Sequence, residues 1–303
     1  MTAPTAIQTK GLTKDYGAGR GLFDLDLDVA EGEIFGYLGP NGAGKTTTIR
    51  LLMGLVHASR GSATVFGLDA MRQSVDVKRL VGYMPGELPQ FGGLRGRDIA
   101  GHFAALRGAV DQGRVKEICG RLDLDLGLKF REYSTGNKRK LGILLAFMHK
   151  PRLLVLDEPT SGLDPLNQQE FYKLVREAKA GGATVFLSSH VLSEVEHVCE
   201  RVGIIRHGRL VEVSRLEDLH EMRVRRIEVE FAGDAQPQLL AALPGIENLE
   251  SNHHRLTFTL RGSFEPVADA LAGHHVVNLV SHEPNLEEVF LAYYADQPEE
   301  AKA

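Results

Sequence analysis

The stretch Gly39–Thr47, which reads GPNGAGKTT, constrains the fold of this chain more than any other segment. A strand-like run over residues 33–38 precedes it, and a helix-like run over residues 46–56 follows it. This is the G-x-x-x-x-G-K-[ST] pattern in the strand–loop–helix context that gives it meaning. Its glycines let backbone N–H groups turn toward a phosphate chain, and the N-terminus of the following helix adds about half a positive charge. The stretch therefore predicts a loop that binds the phosphates of a nucleotide.

The residues of this loop have separate expected roles. We expect Lys45 to reach the β- and γ-phosphates, and the Thr46 hydroxyl to take one position around a Mg²⁺ ion. The predicted nucleotide-contacting set of the stretch is Gly39, Pro40, Asn41, Gly42, Ala43, Gly44, Lys45, Thr46 and Thr47. The loop alone indicates only that a nucleoside triphosphate binds, so the purpose of binding must be sought elsewhere in the chain.

Two acidic residues follow the apolar run Leu153–Leu156. Four successive aliphatic residues are typical of a buried central strand, and open α/β sheets bind ligands at the carboxyl ends of such strands. Asp157 could hold Mg²⁺ directly or through water, and Glu158 could polarise an attacking water molecule. For the pair by itself, a solvated strand end without chemistry is the alternative.

Two single residues are further candidates. His190 follows the strand-like run 183–187, a position from which a side chain can touch a phosphate, although most lone histidines are structural. Tyr16 is the only aromatic residue of the segment 12–17. It could stack on adenine, or it could be a half-buried packing residue.

Composition limits the class of protein. The chain has 303 residues and a formal net charge of −5, which argues mildly against a protein that coats nucleic acid. The first residues lack the apolar core of a secretion signal, and apolar runs such as Leu141–Met148 are too short to span a bilayer. Any membrane role is therefore expected to come through a partner. Cys119 and Cys199 are expected to be packed as small hydrophobes.

The pattern of apolar residues predicts two domains. Short strand-like runs and turns fill residues 5–38, and a helical pattern covers residues 98–148. Beyond residue 225 the order is β-α-β-β-α-β, followed by a helix-like run at 286–294. We expect an α/β nucleotide-binding domain over residues 1–215, with a helical subdomain at about 93–150. A small α+β accessory or regulatory domain is expected over residues 225–303.

Five landmarks together resemble the ATP-binding subunits of ABC transporters. In chain order, Tyr16 resembles their adenine-stacking aromatic residue, Gly39–Thr47 their Walker A, and residues 153–158 their Walker B with its catalytic glutamate. Ser161–Asp164 and His190 resemble the D-loop and the switch histidine. The resemblance spans residues 1 to about 215. It implies a P-loop NTPase fold with a RecA-like core, an antiparallel β subdomain and a helical subdomain. It also implies the cofactors ATP and Mg²⁺, with Lys45, Glu158 and His190 as catalytic residues.

Two motifs depart from the family pattern. The signature is usually L-S-G-G-Q, whereas Tyr133–Asn137 reads YSTGN. It keeps Ser134 and Gly136, to which the resemblance assigns contacts with a γ-phosphate. The glutamine of the Q-loop is replaced by Gly86, and either Glu87 or Gln90 could substitute for it.

The resemblance also implies partners and a location. In this family, Walker A of one subunit faces the signature of another, so we expect a head-to-tail homodimer or a pair with another ATPase subunit. The implied function is ATP hydrolysis that powers export of a drug-like, lipid or other small solute through a separate transmembrane permease. Residues 284–290 resemble the tail of drug- and antibiotic-exporter ATPases. The implied location is cytoplasmic, on the inner face of the cell membrane.

Two alternatives to transport remain at the level of sequence. The chain could regulate a membrane complex without moving solute. It could also act on nucleic acid or ribosomes, but such members typically carry two cassettes or a long coiled-coil insertion, and this chain has neither. No nucleic-acid partner is therefore expected.

Overall fold

The computed structural model describes residues 4–108, 110–217 and 224–282. The chain divides between Ser214 and Arg215 into two compact units, residues 1–214 and 215–303. The elements of the first unit are β1 (Thr5–Asp15), β2 (Gly21–Ala30), β3 (Ile34–Leu38), α1 (Lys45–Leu52), β4 (Arg60–Val65), β5 (Leu68–Asp69), α2 (Ser74–Leu80), β6 (Val81–Met84), α3 (Gly96–Arg107), α4 (Gln112–Arg121), α5 (Thr135–Phe147), β7 (Leu153–Asp157), α6 (Pro165–Ala180), β8 (Thr184–Ser189), α7 (Leu192–Val198), β9 (Arg201–Arg206) and β10 (Arg209–Arg215).

The first sheet of this unit is antiparallel, with strand order β2-β1-β4-β5. In β2 the apolar side chains from Leu25 to Val29 are buried, and the aspartates between them are exposed. This alternation is the pattern of a strand with one face on the core and the other in water. The predicted antiparallel β subdomain is therefore confirmed.

The second sheet has six strands in the order β10-β9-β3-β8-β7-β6. Strands β9, β3, β8, β7 and β6 pair in parallel, and every residue of β3, β7 and β8 is buried. The aromatic side chains of Phe35, Tyr37 and Phe186 pack together in its core, with ring centroids 5.9 Å apart for Phe35–Phe186 and 5.3 Å for Tyr37–Phe186. Because parallel strands end at the same edge, the segments after β3, β7 and β8 meet there.

Helices α3, α4 and α5 lie between β6 and β7 in the chain. The helical pattern expected over residues 98–148 corresponds to these three helices, with turns and a 3₁₀ helix at Phe130–Glu132 between α4 and α5. The helix expected over residues 46–56 is shorter and ends at Leu52. Gly54 has φ 59°, and a Cβ there would lie 2.5 Å from the carbonyl oxygen of Ala70. The chain therefore turns at Gly54, where only a glycine can approach the backbone of Ala70 this closely. Helix α2 was not predicted.

The second unit contains β11 (Val224–Phe231), α8 (Gln238–Ala241), β12 (Ile246–Asn252), β13 (Arg255–Arg261), α9 (Glu265–Leu271) and β14 (Val276–His282). Its antiparallel sheet has the order β12-β13-β11-β14. Residues such as Ile227, Leu240 and Phe258 form a separate hydrophobic core. The predicted β-α-β-β-α-β order agrees with this part of the chain, and the predicted helix at 286–294 and the tail at 284–290 lie outside the described residues.

The packing of Phe186 leads to a prediction about stability. Because Phe186 is fully buried against two aromatic rings, Phe186→Ala should lower the free energy of unfolding of the first unit by about 3–5 kcal/mol. Urea denaturation followed by far-UV circular dichroism measures the change. The exposed Leu166→Ala serves as control and should cost less than about 0.5 kcal/mol. Equal losses in the two variants would contradict the assignment of this core.

His149, which follows α5, leads to a prediction about pH. Burial, and secondarily the charge of Arg107, lowers the pKa of His149 from 6.5 to about 4. Between these values the unfolded chain binds a proton that the folded chain does not, so this residue reduces stability as the pH falls from 6.5 toward 4. His149→Gln should therefore flatten the dependence of unfolding free energy on pH. Urea denaturation at pH 7 and pH 5 tests this, with exposed His57→Gln as control. An unaltered slope in His149→Gln would exclude the effect.

Candidate active site

An open cleft of about 370 Å³ lies where α1 begins. Its walls come from the turn between β1 and β2, the loop before α1, the end of β7 and the turn between β9 and β10. The lining residues are Tyr16, Gly19, Arg20, Gly21, Asn41, Gly42, Gly44, Lys45, Thr46, Thr47, Glu158, His207 and Gly208. A cleft of this size, bordered by a glycine-rich loop and charged side chains, suits a phosphate-bearing ligand.

The loop 39–44 is held in a conformation that requires glycine. Gly44 has φ 115°, which L-residues rarely adopt. At Gly39 a Cβ would lie 2.4 Å from the carbonyl oxygen of Ile205, so a side chain would collide with β9. The turn after β9 adds a hydrogen bond of 2.8 Å from Gly208 N to Ala43 O. The loop is thus fixed from both sides before any ligand binds.

Lys45 is buried with 4% of its side chain exposed. Its Nζ donates to the carbonyl oxygens of Gly39 at 2.6 Å and Pro40 at 3.1 Å, and lies 3.2 Å from Oε1 of Glu158. Removing an ammonium group from water is costly unless it is paired and hydrogen-bonded, and these three oxygens meet that requirement. These contacts hold the end of the Lys45 side chain beneath the loop.

Glu158 connects Lys45 to His190. The second carboxylate oxygen of Glu158, Oε2, lies 3.3 Å from Nδ1 of His190, and both residues are partly open to solvent. The backbone of Glu158 is left-handed, with φ 47°, and its N–H donates to the carbonyl and to the Oγ of Ser188. Strained backbones of this kind cluster at functional sites. Because Oε1 faces Lys45 and Oε2 faces His190, the carboxylate is oriented by both neighbours.

Asp157 is 1% exposed and is held by two hydroxyl groups. Its Oδ2 accepts a hydrogen bond of 2.9 Å from Thr46 Oγ1, and its Oδ1 accepts one of 2.6 Å from Ser188 Oγ. A hydroxyl and a carboxylate side by side are the hard oxygen ligands that Mg²⁺ prefers, so the residues present fit this ion. In the described ranges no group of three or more His, Cys, Asp and Glu side chains could hold a metal. Thr46 and Asp157 would be the protein ligands of a Mg²⁺ ion here, an arrangement that is usual where phosphates supply the others.

Comparisons with known proteins give this geometry a family. A model described as ABC transporter matches residues 22–161. The chain is 37% identical over 232 residues to the bacitracin transport ATP-binding protein BcrA of Bacillus licheniformis, covering 75% of this chain and 76% of that protein. It is 32% identical over 307 residues to the daunorubicin resistance ATP-binding protein DrrA3 of Streptomyces coeruleorubidus, covering 97% of each.

This chain belongs to the ABC transporter ATP-binding proteins. A solved ATP-binding subunit of an ABC transporter superposes with a TM-score of 0.67 at 30% identity, covering 71% of this chain and 92% of that one. A dimeric ATP-binding cassette solved with ADP and Pi, at 20% identity and a TM-score of 0.62, agrees in fold alone. The chain is accordingly an ABC ATPase, a protein that binds and hydrolyses ATP. The predicted family, fold class and type of enzyme are confirmed.

Gly86, which stands where the family has the Q-loop glutamine, lies next to the carboxylate of Asp157. A Cβ built on Gly86 would lie 3.3 Å from Oδ2 of Asp157, so a side chain at this position would touch the oxygen that bonds Thr46. Glu87 and Gln90 are both exposed. Which of them, if either, replaces the glutamine stays a prediction.

The signature residues lie apart from the cleft. Ser134 is exposed and caps α5 by accepting a hydrogen bond of 3.2 Å from Asn137 N. Among the described residues, neither Ser134 nor Gly136 lines the cleft that contains Lys45. One copy of the chain therefore does not bring its own signature to its own Walker A loop.

Several cleft residues were missed by the sequence interpretation. Gly19, Arg20 and Gly21 come from the β1–β2 turn, and His207 and Gly208 from the β9–β10 turn. Both turns were recognisable from their glycines. The approach of the β1–β2 turn to the Walker A loop depends on how the two sheets pack, and that of the β9–β10 turn depends on the parallel pairing of β9 with β3. Tyr16 lies with them at the rim, 48% exposed, and Lys14 Nζ is 5.4 Å from its ring centroid.

Ser188 was also missed, and its contacts generate a prediction. Because its hydroxyl is fully buried between Asp157 and the N–H of Glu158, Ser188→Ala leaves a buried carboxylate oxygen without its donor. We expect a loss of about 1–3 kcal/mol in the free energy of unfolding, measured by urea denaturation. Ser161→Ala, which removes an exposed hydroxyl, is the matched control and should be near neutral. No difference between the two variants would show that the Ser188 hydroxyl does not stabilise Asp157.

Proposed function

We propose that this chain is the ATP-hydrolysing subunit of an exporter that moves a drug-like, lipid or other small solute through a separate permease. The observation that carries the proposal is the connected set Lys45–Glu158–His190, with Thr46 and Asp157 beside it. Relatives named for bacitracin transport, daunorubicin resistance and Nod factor export support the solute class and the direction. No helix in the described ranges is both long and apolar enough to span a membrane. In this proposal the translocation path belongs to a partner chain and this subunit lies at the cytoplasmic face of the membrane, a division of roles that fits relatives named as ATP-binding proteins of transport and resistance systems.

The site residues take the following roles in this proposal. Tyr16 stacks on adenine, the loop Gly39–Thr47 holds the phosphates, and Lys45 binds the β- and γ-phosphates. Thr46 and Asp157 would hold Mg²⁺, which supplies neutralisation of phosphate charge when bound. His190 contacts the γ-phosphate from its position beside Glu158.

The proposed chemistry rests on orientation and charge. The phosphates of ATP offer Lys45 a more highly charged partner than Glu158, and the ion pair of 3.2 Å would loosen as Lys45 binds them. Oε1 of Glu158 could then accept a proton from the attacking water, while His190 keeps the carboxylate in place through Oε2. Phosphoryl transfer needs little covalent help from protein groups beyond such positioning.

The position of Ser134 and Gly136 supports a composite site. We place the signature of one copy over the Walker A loop of a second copy, so that a head-to-tail pair encloses two ATP molecules. ATP would then favour the closed pair and hydrolysis the open one, which provides the mechanical output. The second unit, for which no chemical motif was found, is assigned an accessory or regulatory role over residues 225–303.

Replacing the proposed catalytic carboxylate tests the chemistry. Glu158→Gln should retain ATP binding and reduce ATP hydrolysis at least about 100-fold, because the amide cannot accept the proton of water. Sedimentation with ATP should show a trapped dimer. Lys45→Ala is the contrasting variant and should lose both ATP binding and dimerisation. Wild-type turnover in Glu158→Gln, or a strictly monomeric Glu158→Gln with ATP, would contradict the mechanism.

Co-expression tests the assignment to export. Cells that carry the chain together with a multi-span membrane protein as its candidate permease should accumulate less of a fluorescent drug than cells that carry the same permease with the Glu158→Gln variant. The measurement is the rate of efflux from preloaded cells. Equal efflux with active and inactive ATPase across a panel of apolar drugs would argue against a drug exporter, while ATPase activity would stand independently.

A further inference from the structure

Arg139 lies in the second turn of α5, two residues after the signature Tyr133–Asn137, and connects two loops. Its Nε donates to the carbonyl oxygen of Ser161 at 3.1 Å, and its Nη1 donates to that of Pro85 at 3.2 Å. Pro85 directly follows β6, and Ser161 lies three residues after Glu158. One guanidinium thus joins the helix of the signature to the loops that follow β6 and β7.

The Ser161 end of this contact leads directly to the proposed catalytic carboxylate. Ser161 N donates to the carbonyl oxygen of Glu158 at 3.3 Å, so the two residues close a single turn. Arg139 binds the carbonyl oxygen of Ser161, the last residue of that turn. A shift of α5 would therefore be transmitted to Glu158 through two successive hydrogen bonds, from Arg139 to Ser161 and from Ser161 to Glu158.

Close packing reinforces this connection. A Cβ built on Gly136 would lie 3.1 Å from the carbonyl oxygen of Gly162, and one on Gly162 would lie 3.4 Å from Cγ2 of Thr135. The start of α5 and the loop after Glu158 are therefore in van der Waals contact along their backbones. Two segments packed this tightly transmit displacement rather than absorb it.

The charges around Arg139 fit the same role. Burial lowers the pKa of Arg139, and the negative charges of Asp157, Glu158 and Glu87 act in the opposite direction. A guanidinium remains protonated in such surroundings, and its planar fork is suited to binding two acceptors at once. Arg139 provides a side-chain contact between the signature helix and the carbonyl of Pro85. The next residue, Gly86, has no side chain of its own to contribute.

We propose that Arg139 is a positioning residue for ATP hydrolysis, which couples the placement of the signature residues Ser134 and Gly136 to that of Glu158. This inference rests on the proposed roles of the signature and of Glu158. When a second copy brings its ATP to the signature, Arg139 moves the loop after β7 together with α5 and so orients Glu158 toward the attacking water. Arg139 itself touches neither ATP nor water in this scheme.

The test compares Arg139→Gln with Lys138→Gln in the full chain. Lys138 is the adjacent residue on the same helix, and its Nζ lies over the Phe130 ring, 5.2 Å from the centroid. The control therefore removes the same charge without touching either loop. Arg139→Gln should lower kcat about tenfold or more, because two hydrogen bonds from a charged donor are lost. The affinity for a fluorescent ATP analogue should stay within about twofold, and Lys138→Gln should keep near-wild-type kcat. A kcat within twofold of wild type in Arg139→Gln, or equal losses in both variants, would overturn the proposal.

A double-variant comparison separates positioning from a general loss of structure. If Arg139 acts through Glu158, Arg139→Gln combined with Glu158→Gln should hydrolyse ATP no more slowly than Glu158→Gln alone. Multiplied losses would show that Arg139 acts independently, and would overturn the proposal. Should Arg139→Gln fail to fold, Arg139→Lys provides the same comparison, with a smaller loss expected because an ammonium lacks the two-pronged geometry. If Glu158→Gln itself hydrolyses ATP normally, the proposed function fails. If only Arg139→Gln is normal, the coupling alone fails.

Discussion

The parallel pairing of β8 with β3 on one side and β7 on the other is the constraint on which the candidate site depends. Its register sets Leu38 beside Ser189, and Asp157 beside Ser188. The start of the Walker A loop and the two acidic residues therefore emerge at one edge, although more than a hundred residues separate them in the chain. A slip of one residue in β8 would turn Ser188 to the opposite face and remove the hydroxyl that holds Asp157.

Buried charges at this edge are compensated locally. Lys45 has two backbone carbonyls and one carboxylate within hydrogen-bonding distance, and Asp157 has two hydroxyl donors. These contacts explain how the fold tolerates an ammonium and a carboxylate in a poorly solvated position. Lys45 also lines the cleft where phosphates would lie, so that binding would exchange its partners instead of exposing its charge.

Sequence predicted the parts of this arrangement that depend on local chemistry. The glycine-rich loop, the aliphatic run before Asp157 and the run before His190 are local signals, and the structure brings Lys45, Glu158 and His190 into contact. Ser188 could not be identified as a partner of Asp157, because that contact depends on strand register. Arg20 likewise reaches the cleft through packing between the two sheets, and His207 through the pairing of β9 with β3. Helix α1 ends earlier than its apolar period predicts, because Gly54 approaches the backbone of Ala70.

The left-handed backbone of Glu158 lowers the stability of the fold at the residue that is proposed to activate water. An L-residue at φ 47° carries a conformational penalty of about 1–2 kcal/mol, which glycine would not incur. Glycine at this position would relieve the backbone, but it would also remove the carboxylate that pairs with the buried ammonium of Lys45. Lys45 would then be left with its two carbonyl acceptors. Backbone strain at Glu158 and charge compensation at Lys45 therefore act in opposite directions on the stability of the same domain.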